Sequence, residues 1–93
     1  MLKYILKYIL CKLELLSFYT LINSYFNIKI FKLIDGKLIP LCKPFEIGMV
    51  DVCDINIDNL CNNIKWDDEV INNLSNTDHI MILIHIKDKG IVP

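Results

Sequence analysis

The segment IKIFKLIDGKLIPLCK, residues 28–43, contains the clearest hairpin signal in the chain. Ahead of the Asp35–Gly36 pair, side chains alternate with the period of two that is typical of a β-strand. The alternation predicts Ile28, Ile30 and the stem of Lys32 on one face of this strand. Asp-Gly supplies the positive φ angles that a tight hairpin turn requires. The segment therefore predicts two antiparallel strands joined at this turn.

Three further stretches are predicted to be extended. The return arm, residues 37–43, contains Pro40, which cannot donate a hydrogen bond to a neighbouring strand, so we expect an edge strand there. Residues 45–57 form a second extended stretch. Residues 79–87, HIMILIHIK, are apolar on both faces through their middle, which is typical of a central strand covered on two sides.

Upstream of the hairpin, residues 2–26 contain no Gly or Pro and are predicted to form one long N-terminal helix. Six polar side chains are expected to share one narrow side, so the helix is predicted to be apolar over most of its circumference; they are Lys3, Lys7, Glu14, Ser17, Thr20 and Ser24. A surface helix of a monomer needs an apolar stripe only about 100° wide. We therefore expect this helix to contact its own sheet and also a second body. The residues expected to bind that partner are Tyr4, Tyr8, Leu15, Phe18 and Tyr25.

Residues 58–76 are polar and acidic, and they contain two short helical patterns. Asp58 and Asp67 are predicted to cap these helices, and Trp66 is predicted to pack against Ile71. The complete pattern predicts a single α+β domain over residues 1–93. Its architecture is one long N-terminal helix packed on a small mixed or antiparallel sheet of three or four strands, with one or two short helices.

The composition excludes disorder and leaves more apolar side chains than one small core absorbs. Apolar residues make up 54 % of the 93 residues, and the chain contains no Arg. The abundance of Ile, Lys and Asn resembles the codon bias of an AT-rich genome. Charge is uneven, because residues 1–50 contain seven Lys and three acids (+4), whereas residues 51–93 contain three Lys and eight acids (−5). Such asymmetry favours attraction between the two halves within one fold.

The four cysteines contain no C-x-x-C pair, and the N-terminal stretch lacks the features of a secretory leader. We therefore expect a reducing intracellular compartment and a cytoplasmic protein. The longest run without charge, residues 15–28, has 14 residues, whereas a helix needs about 20 to cross a bilayer.

Signals for chemistry are weak. Residues 54–58, DINID, match the first ligands of an EF-hand loop, but Asn59 replaces the turn glycine and Lys65 replaces the closing glutamate. His79 and His85 are about 20 Å apart on a strand, so they cannot grip one metal ion together. No nucleotide-binding or hydrolase motif is present. We therefore expect no enzyme, no metal and no cofactor.

The function predicted from these patterns is a small non-catalytic protein–protein interaction module, or a subunit of a larger macromolecular assembly, which binds through its apolar N-terminal helix. The expected partner is another protein or a second copy of the chain, with no small-molecule substrate. A first alternative is a ribosome- or RNP-associated protein that neutralises RNA phosphates with lysines. A second alternative is a protein at a membrane surface. The lysines of the RNA alternative are Lys3, Lys7, Lys12, Lys29, Lys32 and Lys37.

Overall fold

The computed structural model describes residues 2–15, 24–48, 52, 54–75 and 77–88. An N-terminal helix packs on an open antiparallel sheet of four strands that is accompanied by two short helices, which confirms the predicted α+β class. The elements in chain order are α1 (Leu2–Glu14), β1 (Ser24–Ile34), β2 (Lys37–Pro40), β3 (Phe45–Gly48), α2 (Ile57–Asn63), α3 (Asp68–Asn72) and β4 (His79–Asp88).

Strand β1 is the centre of the sheet. Strand β4 pairs antiparallel with residues 24–33 of β1. Strand β2 pairs with residues 31–34 and β3 with residues 25–28. Because a strand has only two hydrogen-bonding edges, β2 and β3 must lie end to end along the edge opposite β4. Residues 41–44 bulge out between β2 and β3, where the pairing shifts by two residues.

The hairpin prediction is confirmed. Asp35 and Gly36 adopt φ angles of 49° and 77° at the turn between β1 and β2. Among the described residues β2 pairs with β1 alone, so the arm that contains Pro40 is an edge strand as predicted. Strand β2 ends at Pro40, so the return strand predicted over residues 37–43 is three residues too long. Ile28, Ile30 and Lys32 share the buried face of β1.

The prediction that residues 79–87 form a central strand is wrong. In the described part of the chain β4 pairs with β1 alone, so β4 is an edge strand. The apolar pattern on its two faces reports which side chains favour burial, whereas strand order depends on pairing between segments far apart in the chain. The consequence is an edge strand with an exposed apolar face.

The predicted helix over residues 2–26 is too long. Helix α1 ends at Glu14, Ser24 already belongs to β1, and residues 16–23 lie outside the described residues. Tyr25 is therefore a strand residue. The absence of Gly and Pro permits a helix without requiring one, and pairing on both edges of β1 satisfies backbone groups that a helix would satisfy internally.

The extended stretch predicted over residues 45–57 is also too long. Strand β3 ends at Gly48, Val52 and Asp54 are helical, and α2 begins at Ile57. Helix α2 is capped by Asn56, whose side chain accepts a 2.9 Å hydrogen bond from the Asp58 amide. The predicted Asp58 cap is thus wrong, because the first turn begins two residues earlier.

The second predicted cap is correct, because the Asp67 carboxylate accepts a hydrogen bond from the Val70 amide at the start of α3. Trp66, just before this cap, donates a 3.2 Å hydrogen bond from Nε1 to the Cys61 carbonyl and forms an isolated β-bridge with Cys42. Trp66 therefore links the bulge to α2 and to the start of α3 through one side-chain hydrogen bond and one backbone bridge.

The core lies between α1 and the inner face of the sheet. Ile5, Leu6, Ile9 and Leu13 recur at helical spacing and are buried together. They form one cluster with buried residues of the sheet and the bulge. Those partners are Phe26, Ile28, Ile30, Leu41, Cys42 and Ile47.

Lys32 is the buried cation of the inner face. Its Nζ lies 3.1 Å from the Asp78 carboxylate and donates a 3.5 Å hydrogen bond to the Asn73 carbonyl. The Ser75 amide donates a 2.6 Å hydrogen bond to the same carboxylate. This ion pair ties the centre of the sheet to the turn that precedes β4, and its burial makes the loss of one partner costly.

Truncating the core side of α1 is expected to destabilise the protein. Leu6 is fully buried, so Leu6→Ala should lower the free energy of unfolding by about 2–5 kcal/mol, measured by urea denaturation. Leu15→Ala is the matched control on the exposed side, where a change within about 0.5 kcal/mol is expected. Equal losses in the two variants would contradict the placement of the core.

Acid should weaken the fold at the Lys32 ion pair. The hydrogen bond from the Ser75 amide, followed by Lys32, holds the pKa of Asp78 below its usual value. A depressed folded-state pKa contributes stability above the unfolded pKa of about 3.9, and that stability is lost as the pH falls through the folded pKa. The midpoint of urea denaturation should therefore fall less steeply in Asp78→Asn than in the wild type as the pH is lowered below about 5. Identical pH profiles for the two proteins would contradict this role.

Candidate functional site

The motifs considered for metal binding serve structural roles. In the segment DINID, Asn56 caps α2, and Asp58 pairs with Lys3 Nζ at 2.9 Å. Among residues 2–15, 24–48, 52, 54–75 and 77–88, no three His, Cys, Asp or Glu side chains converge on a metal position. His79 and His85 are both exposed on the same face of β4.

Cys42 has the properties of a core thiol. It is 5 % exposed, and burial raises its pKa to about 11. Because the thiolate is the nucleophilic form, a thiol with so high a pKa is inert near neutral pH. Cys11 is exposed and Cys61 is half-buried, whereas Cys53 lies outside the described residues.

The outer side of α1 carries an apolar stripe. Tyr4, Tyr8 and Leu15 are 77 %, 52 % and 80 % exposed. At 100° per residue they fall within about 40° of one another, and Cys11 lies in the same sector. Lys12 Nζ lies 5.4 Å from the Tyr8 ring centroid, which leaves the stripe bordered by a cation. We refer to Tyr4, Tyr8, Cys11 and Leu15 as the α1 stripe.

A groove separates the α1 stripe from strand β4. It has a volume of about 280 Å³ and is lined by Tyr4, Ile5, Tyr8, Ile80 and Ile82. All five side chains are apolar or aromatic. Tyrosines beside a hydrophobic groove are typical anchors of protein interfaces, because a rigid ring buries much area at a small cost in side-chain entropy.

The sheet face opposite α1 is open and partly apolar. It carries the odd-numbered residues of β1 and β4, and the register places Met81 beside Phe31 and Leu83 beside Lys29. Met81 and Leu83 are 39 % and 47 % exposed. In the described residues no helix or strand packs on this face. Leu33 also lies on this face, and it pairs with Leu38 on β2, which β1 separates from β4.

The edge of β4 that is unpaired in the described residues, called here the free edge, joins these two apolar areas. Inner-face residues Ile80 and Ile82 line the groove, and outer-face residues Met81 and Leu83 lie on the open face. An unpaired strand edge also presents backbone donors and acceptors to a partner. We refer to the edge of β4 together with Tyr4, Tyr8, Ile80, Ile82, Met81 and Leu83 as the β4 surface.

Four of the five predicted partner-binding residues lie in the described ranges, and they are divided between two places. Tyr4, Tyr8 and Leu15 lie on the α1 stripe, whereas Tyr25 lies on the open face of β1 opposite Lys87. Phe18 lies outside the described residues. Sequence reasoning missed Met81 and Leu83, although their signal was the apolar outer face of residues 79–87.

The six lysines of the RNA alternative are also dispersed. Lys3, Lys7 and Lys12 are exposed on α1, Lys29 is exposed on the open sheet face, and Lys37 follows the hairpin turn. Lys32 is buried in its ion pair with Asp78 and faces the core. The arrangement divides the cations among the helix, the open face and the hairpin tip.

In the described ranges every helix is too short or too polar to traverse a bilayer. Comparison with known proteins found no matching family model, no matching curated protein and no matching solved structure.

The cysteines provide a test of this surface map. Brief treatment with iodoacetamide, followed by mass spectrometry of peptides, should modify Cys11 on the α1 stripe and leave Cys42 unmodified in the folded protein. Denaturation in urea should make both reactive. Rapid modification of native Cys42 would contradict its burial.

Proposed function

We propose that this protein is a non-catalytic protein-binding module, or a subunit of a larger assembly, that binds its partner at the β4 surface. The observation that supports this most strongly is the position of β4. Its side chains are apolar on both faces through its middle, where Met81 and Leu83 are flanked by His79 and His85, yet one face is open and one edge is unpaired in the described residues. Exposed apolar patches of this kind mark interaction sites on soluble domains.

The chemistry of the β4 surface favours a protein partner. Its side-chain groups are aliphatic, thioether and aromatic, and they are bordered by Lys12 beside Tyr8 and by Lys29 beside Leu83. An extended segment of a partner can pair with the β4 backbone and place alternate side chains in the groove and on the open face. Affinity then comes from backbone hydrogen bonds and burial of apolar area, and specificity comes from the groove.

RNA binding receives less support from the arrangement of charges. Lys32 is committed to an internal ion pair, and Lys3 is paired with Asp58. The remaining lysines lie on different sides of the molecule. A protein that binds along the phosphate backbone of RNA needs its cations clustered in one groove or patch. On α1 the exposed lysines are interspersed with Tyr4 and Tyr8, a mixture that is also typical of helices at a membrane surface. Binding to a membrane surface is therefore one outcome that the experiment below distinguishes.

The proposal predicts that charge on the β4 surface abolishes partner binding. A tagged chain recovered from cells of its source should co-purify with a stoichiometric protein partner, either another protein or an untagged copy of the chain. Tyr8→Asp or Met81→Asp should lose that partner because burial of the new carboxylate is unfavourable. Leu38→Asp is the matched control, since Leu38 is 43 % exposed but lies on β2 at the opposite edge. All variants should retain the wild-type circular dichroism spectrum.

The alternatives give different results in the same preparation. RNA as the retained component, released by nuclease or by raising the salt concentration, would overturn the proposal, as would loss of binding only in a Lys3, Lys7 and Lys12 triple Glu variant. Co-flotation with anionic vesicles, abolished by Tyr8→Asp and without a protein partner, would also overturn it. Retention of the partner by both β4-surface variants would place the binding site elsewhere.

A further inference from the structure

We propose that the free edge of β4 is occupied by β4 of a second copy of this chain, which pairs antiparallel about a two-fold axis at Leu83. The proposal rests on the proposed function, because it identifies the partner of the β4 surface. The resulting dimer would have one continuous sheet, with β4 and its symmetry mate at the centre.

The two edges of the sheet differ in how they resist strand pairing. The β2–β3 edge contains Pro40 and Pro44, the bulge at residues 41–44 and the exposed Lys37 and Lys43. Prolines, bulges and edge lysines are the usual devices that prevent edge-to-edge association. Strand β4 has ten residues, contains no proline and pairs with β1 in unbroken register. An edge of this kind is a template for another strand.

Symmetry restricts the register of such a pair. A two-fold axis perpendicular to the sheet keeps each face on its own side, so inner-face residues must pair with inner-face residues. An axis at Leu83 pairs Ile80 with Ile86 and Ile82 with Ile84 of the second copy. An axis at Ile84 pairs as many residues but places the Lys87 ammonium group opposite Met81. The Leu83 axis therefore gives the better match of apolar side chains.

Charge does not oppose this pairing. The segment between Ile80 and Ile86 contains His85 as its single ionisable side chain, and the register places His85 beside Met81 of the second copy. The whole chain has a formal net charge of −1, so repulsion between two copies is small. The pair is thus formed without burying an unpaired carboxylate or ammonium group.

The groove beside the β4 edge would accommodate inner-face side chains from β4 of the second copy. Inner-face residues Ile84 and Ile86 of the second copy would lie next to Ile82 and Ile80, where the groove is bordered by Tyr4 and Tyr8. Ile86 is 38 % exposed in the single chain and would be covered. The protected β2–β3 edge ends the assembly at two copies.

The test is the mass of the purified chain by size-exclusion chromatography with light scattering over a hundredfold range of concentration. The expected result is a reversible dimer with twice the 10.9 kDa mass of the chain. Leu83→Lys places two ammonium groups opposite each other at the axis, so the dimer dissociation constant should rise by at least about tenfold. Leu83→Glu should act in the same way, and an equimolar mixture of the two variants should recover a heterodimer.

Leu38→Lys is the matched control, because it introduces the same charge on an equally exposed leucine at the other edge and should leave the dimer unchanged. A monomer at every concentration, or a dimer unaffected by Leu83→Lys and by mixing, would overturn the inference. The inference and the proposed function can be tested separately. If the chain is monomeric but Tyr8→Asp and Met81→Asp lose a different protein partner, the inference is overturned and the proposed function is retained.

Discussion

The pairing of β1 on both of its edges is the constraint on which the rest of the structure depends. Strand β4 follows β1 along one edge for ten residues, and β2 and β3 share the other edge. This arrangement fixes which face of every strand meets α1, since cross-strand neighbours share a face. It also fixes the position of Lys32, whose ammonium group is held by Asp78 before β4 begins.

The helical layer covers only one face of that sheet. Helix α1 buries Leu6 and its neighbours against the inner face, and α2 lies next to α1 through the Lys3–Asp58 ion pair. The outer face has no such layer in the described residues and exposes Met81 and Leu83. Strand β4, which is apolar on both faces through its middle, is thus covered on its inner face. Its outer face leaves apolar area for a partner.

Exposed residues of α1 and of β4 form one surface, because the groove lies between them and is lined by both elements. Tyr4 and Tyr8 border one side of the groove, and Ile80 and Ile82 border the other. The binding surface is therefore shared by a helix and a strand edge rather than confined to the helix. Lys12 and Lys29 border this surface beside Tyr8 and Leu83, whereas Lys32 is buried in the core and Lys37 is at the hairpin.

Local pattern alone determined the α+β class, the Asp35–Gly36 hairpin, the edge character of the Pro40 arm and the Asp67 cap. These features depend on φ angles, missing amide donors and neighbouring side chains, which a few consecutive residues specify. Tertiary structure decided that β1 is central and β4 is at an edge, that Ser24 is in a strand rather than a helix, and that Asn56 caps α2. Strand order and segment ends depend on which distant partner satisfies each backbone group, and hydrophobic periodicity does not contain that information.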